Sequence, residues 1–97
     1  MFDQMKKLME MKKQAEKIKR ELEASRVEMK DVDGITIVVD GAQKFYSVEI
    51  NERFLAPQEK QNLEKELLRS LNKAMAKSQS LAADHMKHLI GPGIPGF

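Results

Sequence analysis

The sequence predicts an α+β fold in which a long N-terminal helix precedes a three-stranded antiparallel meander and a long C-terminal helix. Both ends of the chain contain long stretches without Gly or Pro in which apolar residues recur at spacings of 3 and 4. The middle instead holds two Asp-Gly pairs between β-rich runs. With 97 residues, 41% of them hydrophobic and 33% charged, the chain is long enough for one small domain with a modest core.

The first helix is predicted from about residue 3 to residue 24. Its apolar residues follow a heptad-like spacing: Leu8, Met11, Ala15, Ile18 and Leu22. This pattern indicates an amphipathic helix about 30 Å long. Its apolar seam is expected to pack against a second helix, either within the chain or in another copy.

Three strands are predicted near residues 27–32, 35–39 and 44–50, with tight turns at Asp33-Gly34 and Asp40-Gly41. Asp-Gly supplies the positive φ that such turns need. Strict alternation in the third strand places Phe45, Ser47 and Glu49 on one face and Tyr46, Val48 and Ile50 on the other. One face of the sheet is expected to be covered and the other solvated.

The second helix is predicted from Pro57 to Ile90, since proline suits a first helical turn. Gly91 ends it, so residues 1–90 are expected to form a single α-β-β-β-α domain, followed by a flexible Gly/Pro tail, residues 91–97. Because the small sheet cannot cover both helices, at least one helix should project. Its exposed apolar stripe favours a twofold homodimer.

Several classes of function are not expected. The chain has no cysteine, which excludes disulfides, zinc-thiolate sites and thiol nucleophiles. His85 and His88 are too few ligands for a metal site. Without a phosphate-binding loop or a paired nucleophile and base, we expect no enzymatic activity, no cofactor and no small-molecule substrate. The longest aliphatic run, residues 35–39, is far below the roughly 20 residues of a membrane span, so no membrane association and a cytoplasmic location are expected.

Cations are concentrated on one side of each predicted helix, opposite its apolar positions. Lys65, Arg69, Lys73 and Lys77 fall within roughly 120° on the second helix, and Lys6, Lys13, Lys17 and Arg20 within roughly 60° on the first. Arrayed Lys and Arg displace counterions from a nucleic-acid duplex, so these residues are the candidate DNA-binding set. The alternative is a solvated face on which cations pair with acids, such as Arg69 with Glu66.

Methionines are frequent in the first helix: Met1, Met5, Met9 and Met11. They fit a core or dimer seam, because Met fills irregular apolar contacts. An alternative function is a protein-interaction adaptor whose Met-rich amphipathic helices dock a partner helix.

Four segments together carry a family resemblance over essentially the whole chain: MKKLMEMKKQAEKIKRELE in the first helix, SVEIN at the end of the hairpins, SLNKAMAKSQ in the second helix, and the tail GPGIPGF. Their order resembles the YbaB/EbfC family of bacterial nucleoid-associated proteins. The resemblance implies a tweezer-like homodimer with a central sheet and protruding helices. It also implies binding to double-stranded DNA with low sequence specificity, a nucleoid location, and an effect on gene expression or chromosome organisation. It points to the helices in general for DNA contacts and to no catalytic residue.

Overall fold

The computed structural model describes the backbone of residues 2–90 and the side chains of residues 2–87. The elements are α1 (Phe2–Ala24), β1 (Arg26–Val32), β2 (Ile35–Asp40), β3 (Phe45–Ile50) and α2 (Lys60–Ile90), with two short 3-10 turns, Glu52–Leu55 and Pro57–Glu59, before α2. The strands form an antiparallel sheet in the order β1-β2-β3. This confirms the predicted α+β class and element order. The predicted tail, residues 91–97, lies outside the described residues.

The core lies between α2 and the part of the sheet formed by β1 and β2. Alternate residues of β2, namely Ile35, Ile37 and Val39, are buried and pack with Phe54 and Ala74. Partly buried residues from the neighbouring elements complete the cluster: Met29, Val32, Leu63, Leu67 and Leu71. This alternation is expected for a central strand with one covered face.

The two hairpin turns differ in their backbone geometry. Gly34 has a φ of 91°, so the first Asp-Gly pair supplies the positive φ that was predicted. In the second turn the positive φ falls on Gln43, at 67°, and not on Gly41. The prediction that Gly41 supplies the positive φ of the second turn was therefore wrong. Gly41 instead leaves space for Leu22 of α1.

β3 departs from strict alternation. The register with β2 shifts so that Val39 stands opposite Phe45, which leaves Tyr46 as an extra residue in the strand. Phe45 consequently shares the inner face with Val48 and Ile50, and the predicted assignment of Phe45 and Tyr46 was wrong. An extra residue in a strand moves the side chains before it to the opposite face of the sheet from the one that strict alternation predicts. The sequence pattern does not indicate where this bulge lies.

α1 projects from the body of the molecule, as expected of at least one helix. Residues 2–17 are all exposed, Ile18 is half-buried and Leu22 is buried. The molecule consequently measures 66 × 24 × 17 Å. Within residues 2–90, neither helix is apolar enough over a sufficient length to cross a membrane.

Candidate nucleic-acid interface

The candidate cations of α2 are all exposed: Lys65, Arg69, Lys73 and Lys77. α2 buries a different side of its surface, on which Ser70, Ala74 and Ser78 face the sheet. The periodicity argument therefore placed the basic strip of α2 correctly with respect to solvent. We call these four residues the α2 strip.

Arg69 is the member of the α2 strip that has an acidic neighbour. Its Nε lies 3.8 Å from Oδ2 of Asp31 in β1, and the two side chains are 61% and 29% exposed. Such an exposed ion pair stabilises the fold by about 0–1 kcal/mol, so Arg69 can exchange it for a contact with a ligand. The expected pairing of Arg69 with Glu66 is not the one observed. Because Asp31 belongs to β1, this contact places Arg69 on the β1 side of the helix.

The remaining candidates have no carboxylate partner in the described part of the chain. Among residues 2–87, no Asp or Glu oxygen lies within 4.0 Å of the side-chain nitrogens of Lys65, Lys73 or Lys77. A solvated face of paired charges would have shown such contacts along the strip. Within the α2 strip, an ion pair in the described residues thus involves Arg69 alone.

The candidate cations of α1 form a second exposed group: Lys6, Lys13, Lys17 and Arg20. We call them the α1 strip. At 100° per residue they lie opposite Ile18 and Leu22, the positions at which α1 contacts the rest of the molecule. The α1 strip therefore points away from the body. Within one protomer the structure does not bring the α1 strip and the α2 strip into a single patch.

Sequence reasoning missed a polar cluster where β2 meets β3. Asp40 is fully buried. Its carboxylate accepts hydrogen bonds from the backbone N–H groups of Ala42 (2.8 Å) and Lys44 (3.0 Å) and from the hydroxyl of Tyr46 (2.8 Å). The guanidinium of Arg26 stacks on the Tyr46 ring, 3.8 Å from its centroid. Asp at the start of a turn often accepts from N–H groups that follow it, so this signal was present in the sequence.

These hydrogen bonds change the titration of both acids. Burial alone would raise the pKa of Asp40, but the bonds from Lys44, Tyr46 and Ala42 outweigh it and hold the pKa below its usual 3.8. The pKa of Tyr46 is raised above its usual 10.0, chiefly because its hydroxyl donates to the Asp40 carboxylate. The cluster is thus most stable with Asp40 charged and Tyr46 protonated, which is the state at neutral pH.

The histidines do not form a recognisable metal site in the described residues. Nδ1 of His85 lies 3.0 Å from the carbonyl oxygen of Leu81, whereas the side chain of His88 is outside the described part. Among the residues described, no group of three or more His, Asp and Glu side chains is placed to hold a metal ion.

Known proteins are similar in sequence to this chain over most of its length. A model of the YbaB/EbfC DNA-binding family matches residues 1–93. A nucleoid-associated protein of Clostridium kluyveri is 31% identical over 94 residues, covering 88% of this chain and 82% of the relative. A nucleoid-associated protein of Chloroflexus aurantiacus is 33% identical over 89 residues, covering 91% and 88%. One of Mycoplasmopsis pulmonis is 35% identical over 74 residues, covering 70% and 74%. The chain therefore belongs to the YbaB/EbfC DNA-binding family.

Proposed function

We propose that the protein is a nucleoid-associated protein that binds double-stranded DNA as a homodimer, with low sequence specificity and no catalytic role. It acts in the cytoplasm, at the nucleoid, and affects gene expression or chromosome organisation. The observation that carries the proposal is that exposed cations follow both helices in a member of a DNA-binding family. The family gives no support to the adaptor alternative.

The chemistry of the two strips supports contact with phosphates. Apart from Arg20 and Arg69, the candidates are lysines, which act as point charges on flexible stems. Contacts to phosphate oxygens fix a protein on a duplex but carry no sequence information. Binding that rests mainly on such contacts depends strongly on salt and weakly on sequence, which is what the proposal requires.

The dimer is supported by an apolar surface that the protomer leaves uncovered. On β3, Phe45, Val48 and Ile50 are 37%, 45% and 37% exposed although they share the inner face of the sheet with the core. Leu68 of α2 is 62% exposed and lies on the opposite flank of the helix from Lys73. A second copy would cover these apolar residues, since a dimer about a twofold axis places the same surface of each copy in contact.

A salt series tests the DNA proposal. If about four phosphates are neutralised per protomer, a dimer neutralises about eight, and log K against log salt should have a slope of roughly −7. The double variant Lys73→Gln/Lys77→Gln should weaken binding to all duplex sequences alike and make the slope less steep by about 3 to 4, since each change counts twice in a dimer.

The matched control is Lys30→Gln/Lys60→Gln, which removes the same charge elsewhere. Both control lysines already have carboxylate neighbours, Glu28 at 3.4 Å and Glu64 at 2.6 Å. The control should lower affinity only slightly and keep the slope. Salt-independent binding would contradict the proposal as a whole. Equal losses in the two double variants would show that net charge matters and the α2 strip does not.

The oligomeric mass tests the dimer. Val48→Glu places a charge on the uncovered apolar surface, and we expect light scattering to change from a dimer mass to a monomer mass. Ser47→Glu is the control, because Ser47 lies on the same strand but is exposed on the outer face. A wild-type monomer, or a Val48→Glu variant that stays dimeric, would exclude this surface as the interface.

A further inference from the structure

α1 is attached to the molecule only near its C-terminal end. Residues 2–17 are all exposed within the protomer, so α1 is held to the molecule through its last two turns. Lys6 lies about 24 Å from Leu22 along the helix axis. A rotation of α1 by about 10° would therefore move Lys6 by about 4 Å, more than the 3.4 Å rise per phosphate along one DNA strand. Whatever fixes the direction of α1 also decides where its cations meet a duplex.

Gly41 makes a contact that holds this end of α1, beside the direct contacts of α1 with α2. Its backbone N–H donates to the carbonyl oxygen of Leu22 (2.9 Å), which lies in the last turn of α1 where carbonyls lack a partner inside the helix, and to that of Ser25 (3.1 Å), just beyond the helix. A Cβ at position 41 would lie 2.7 Å from Cδ2 of Leu22 and 3.3 Å from both its Cβ and its carbonyl oxygen. Gly41 has no positive φ, so glycine is needed here for space and not for backbone conformation.

The loop that carries Gly41 is fixed in turn by two other contacts. The buried Asp40 carboxylate binds the loop amides of Ala42 and Lys44. The N–H of Gln43 donates to Oγ of Ser78 in α2 at 2.9 Å, and Ser78 is fully buried. One short loop, residues 40–44, thus bonds to the end of α1 and to the middle of α2. Together with the direct contacts between α1 and α2, it relates the directions of the two helices to each other.

We propose that the 40–44 loop is the joint that sets the direction of the α1 arm, with Gly41 and Ser78 as positioning residues for DNA binding. Neither residue carries a charge or touches DNA in this scheme. Both act through the α1 strip, by holding it where phosphates of the duplex bound by α2 can be reached. This inference rests on the proposed function, because the positioning matters only if the α1 strip contacts DNA.

Distance measurements test the joint without DNA. Because the chain has no cysteine, Gln14→Cys on α1 and Ser47→Cys on β3 can carry a unique pair of spin labels in dimers diluted with unlabelled protein. Gly41→Ala should shift or broaden the distance distribution by several ångströms. Gly34→Ala is the control: it also crowds a glycine, with Cβ 2.9 Å from Phe54, and in addition strains a positive φ, but it does so at a turn remote from α1, so the folded variant should keep the wild-type distance.

A second substitution that relieves the clash distinguishes a specific effect on the direction of α1 from a general loss of stability. Leu22→Ala removes the atom closest to the added methyl group, so Leu22→Ala/Gly41→Ala should have a label distance nearer that of the wild type than Gly41→Ala alone. Should Gly41→Ala fail to fold, Ser78→Ala provides the second variant. It removes only the acceptor for Gln43 and should broaden the same distance distribution in a folded protein.

DNA binding then tests the positioning role. The folded Gly41→Ala or Ser78→Ala variant should bind duplex about tenfold more weakly and with a less steep salt slope, because phosphate contacts of the α1 strip are lost. Gly34→Ala should keep the wild-type slope. The proposed role of the 40–44 loop would be refuted if these variants kept the wild-type label distance, or if the distance changed while DNA affinity and salt slope stayed at wild-type values. Absence of duplex binding by the wild type would instead refute the proposed function, and the positioning role with it.

Discussion

Asp40→Asn tests whether the buried carboxylate holds the β2–β3 connection. The substitution keeps the shape of the side chain and one acceptor oxygen for the amides of Ala42 and Lys44, but it removes the charge and places an NH2 group near the Tyr46 hydroxyl. A hydrogen bond to a charged group contributes about 1 kcal/mol more than one between neutral groups. Over the three bonds of Asp40 the expected loss is about 2 to 3 kcal/mol of unfolding free energy.

The measurement is urea unfolding followed by circular dichroism at one fixed protein concentration, since the proposed dimerisation would make stability depend on concentration. The pKa of Asp40 is lower in the folded protein than in the unfolded chain. Its stabilising effect is therefore complete above the usual pKa of 3.8 and is lost as the pH falls through the folded pKa. The gap between wild type and Asp40→Asn should be full at pH 7 and should close at acid pH.

Asp33→Asn is the matched control, because the Asp33 side chain is 97% exposed and its loss should change stability by no more than about 0.5 kcal/mol. Two results would refute the reasoning. One is a loss at pH 7 no larger than that of the control. The other is a gap for Asp40→Asn that stays constant between pH 7 and pH 3, which would show that the carboxylate charge contributes nothing.

Three further predictions concern single residues. Tyr46 is the only tyrosine, so phenolate absorbance reports on it alone, and its titration midpoint should lie above 10. The stabilising effect of Tyr46 should be lost as the pH rises through that midpoint. Asp40→Asn should lower the midpoint, and an unchanged midpoint in this variant would contradict the hydrogen bond between the two side chains. Ile37→Ala, in the fully buried centre of the sheet, should cost about 2–5 kcal/mol in urea unfolding, and a smaller cost would mean that the core is loosely packed. Leu68→Glu should lower the dimer fraction at low protein concentration in sedimentation, and an unaffected dimer would place Leu68 outside the interface.

The sequence was sufficient for the parts of the fold that depend on local patterns. Periods of 3.6 residues, two Asp-Gly turn signals and a proline before the second helix determine the order and the approximate ends of every helix and strand. They also place the α1 and α2 strips on exposed sides, because a helix that buries one face must expose the other.

The parts that sequence reasoning missed depend on contacts between distant residues. The amide of Gln43 meets Ser78, and Gly41 meets Leu22; no local period relates such positions. Asp40 was assigned to a turn, but its burial follows from how the two helices close over the loop. The partner of Arg69 was expected one turn away on α2, whereas it is Asp31 on β1. Helical spacing relates residues of the same helix only, so it does not predict an acidic residue on a neighbouring strand.

The three sides of α2 explain how one helix could serve both the dimer and the DNA. Its buried side packs on β1 and β2. Arg69 reaches Asp31 on the β1 side, while Leu68 lies on the flank opposite Lys73 and is exposed, as are the apolar residues of β3. A second copy docked on β3 and Leu68 would therefore leave Arg69, Lys73 and Lys77 of both protomers exposed, whereas Lys65, three residues before Leu68, would lie nearer the partner. A dimer formed through β1 would bury Arg69 with its neighbouring lysines, and the desolvation of those charges would oppose association. The position of the charges thus favours the β3 side for the partner and the β1 side for the phosphates.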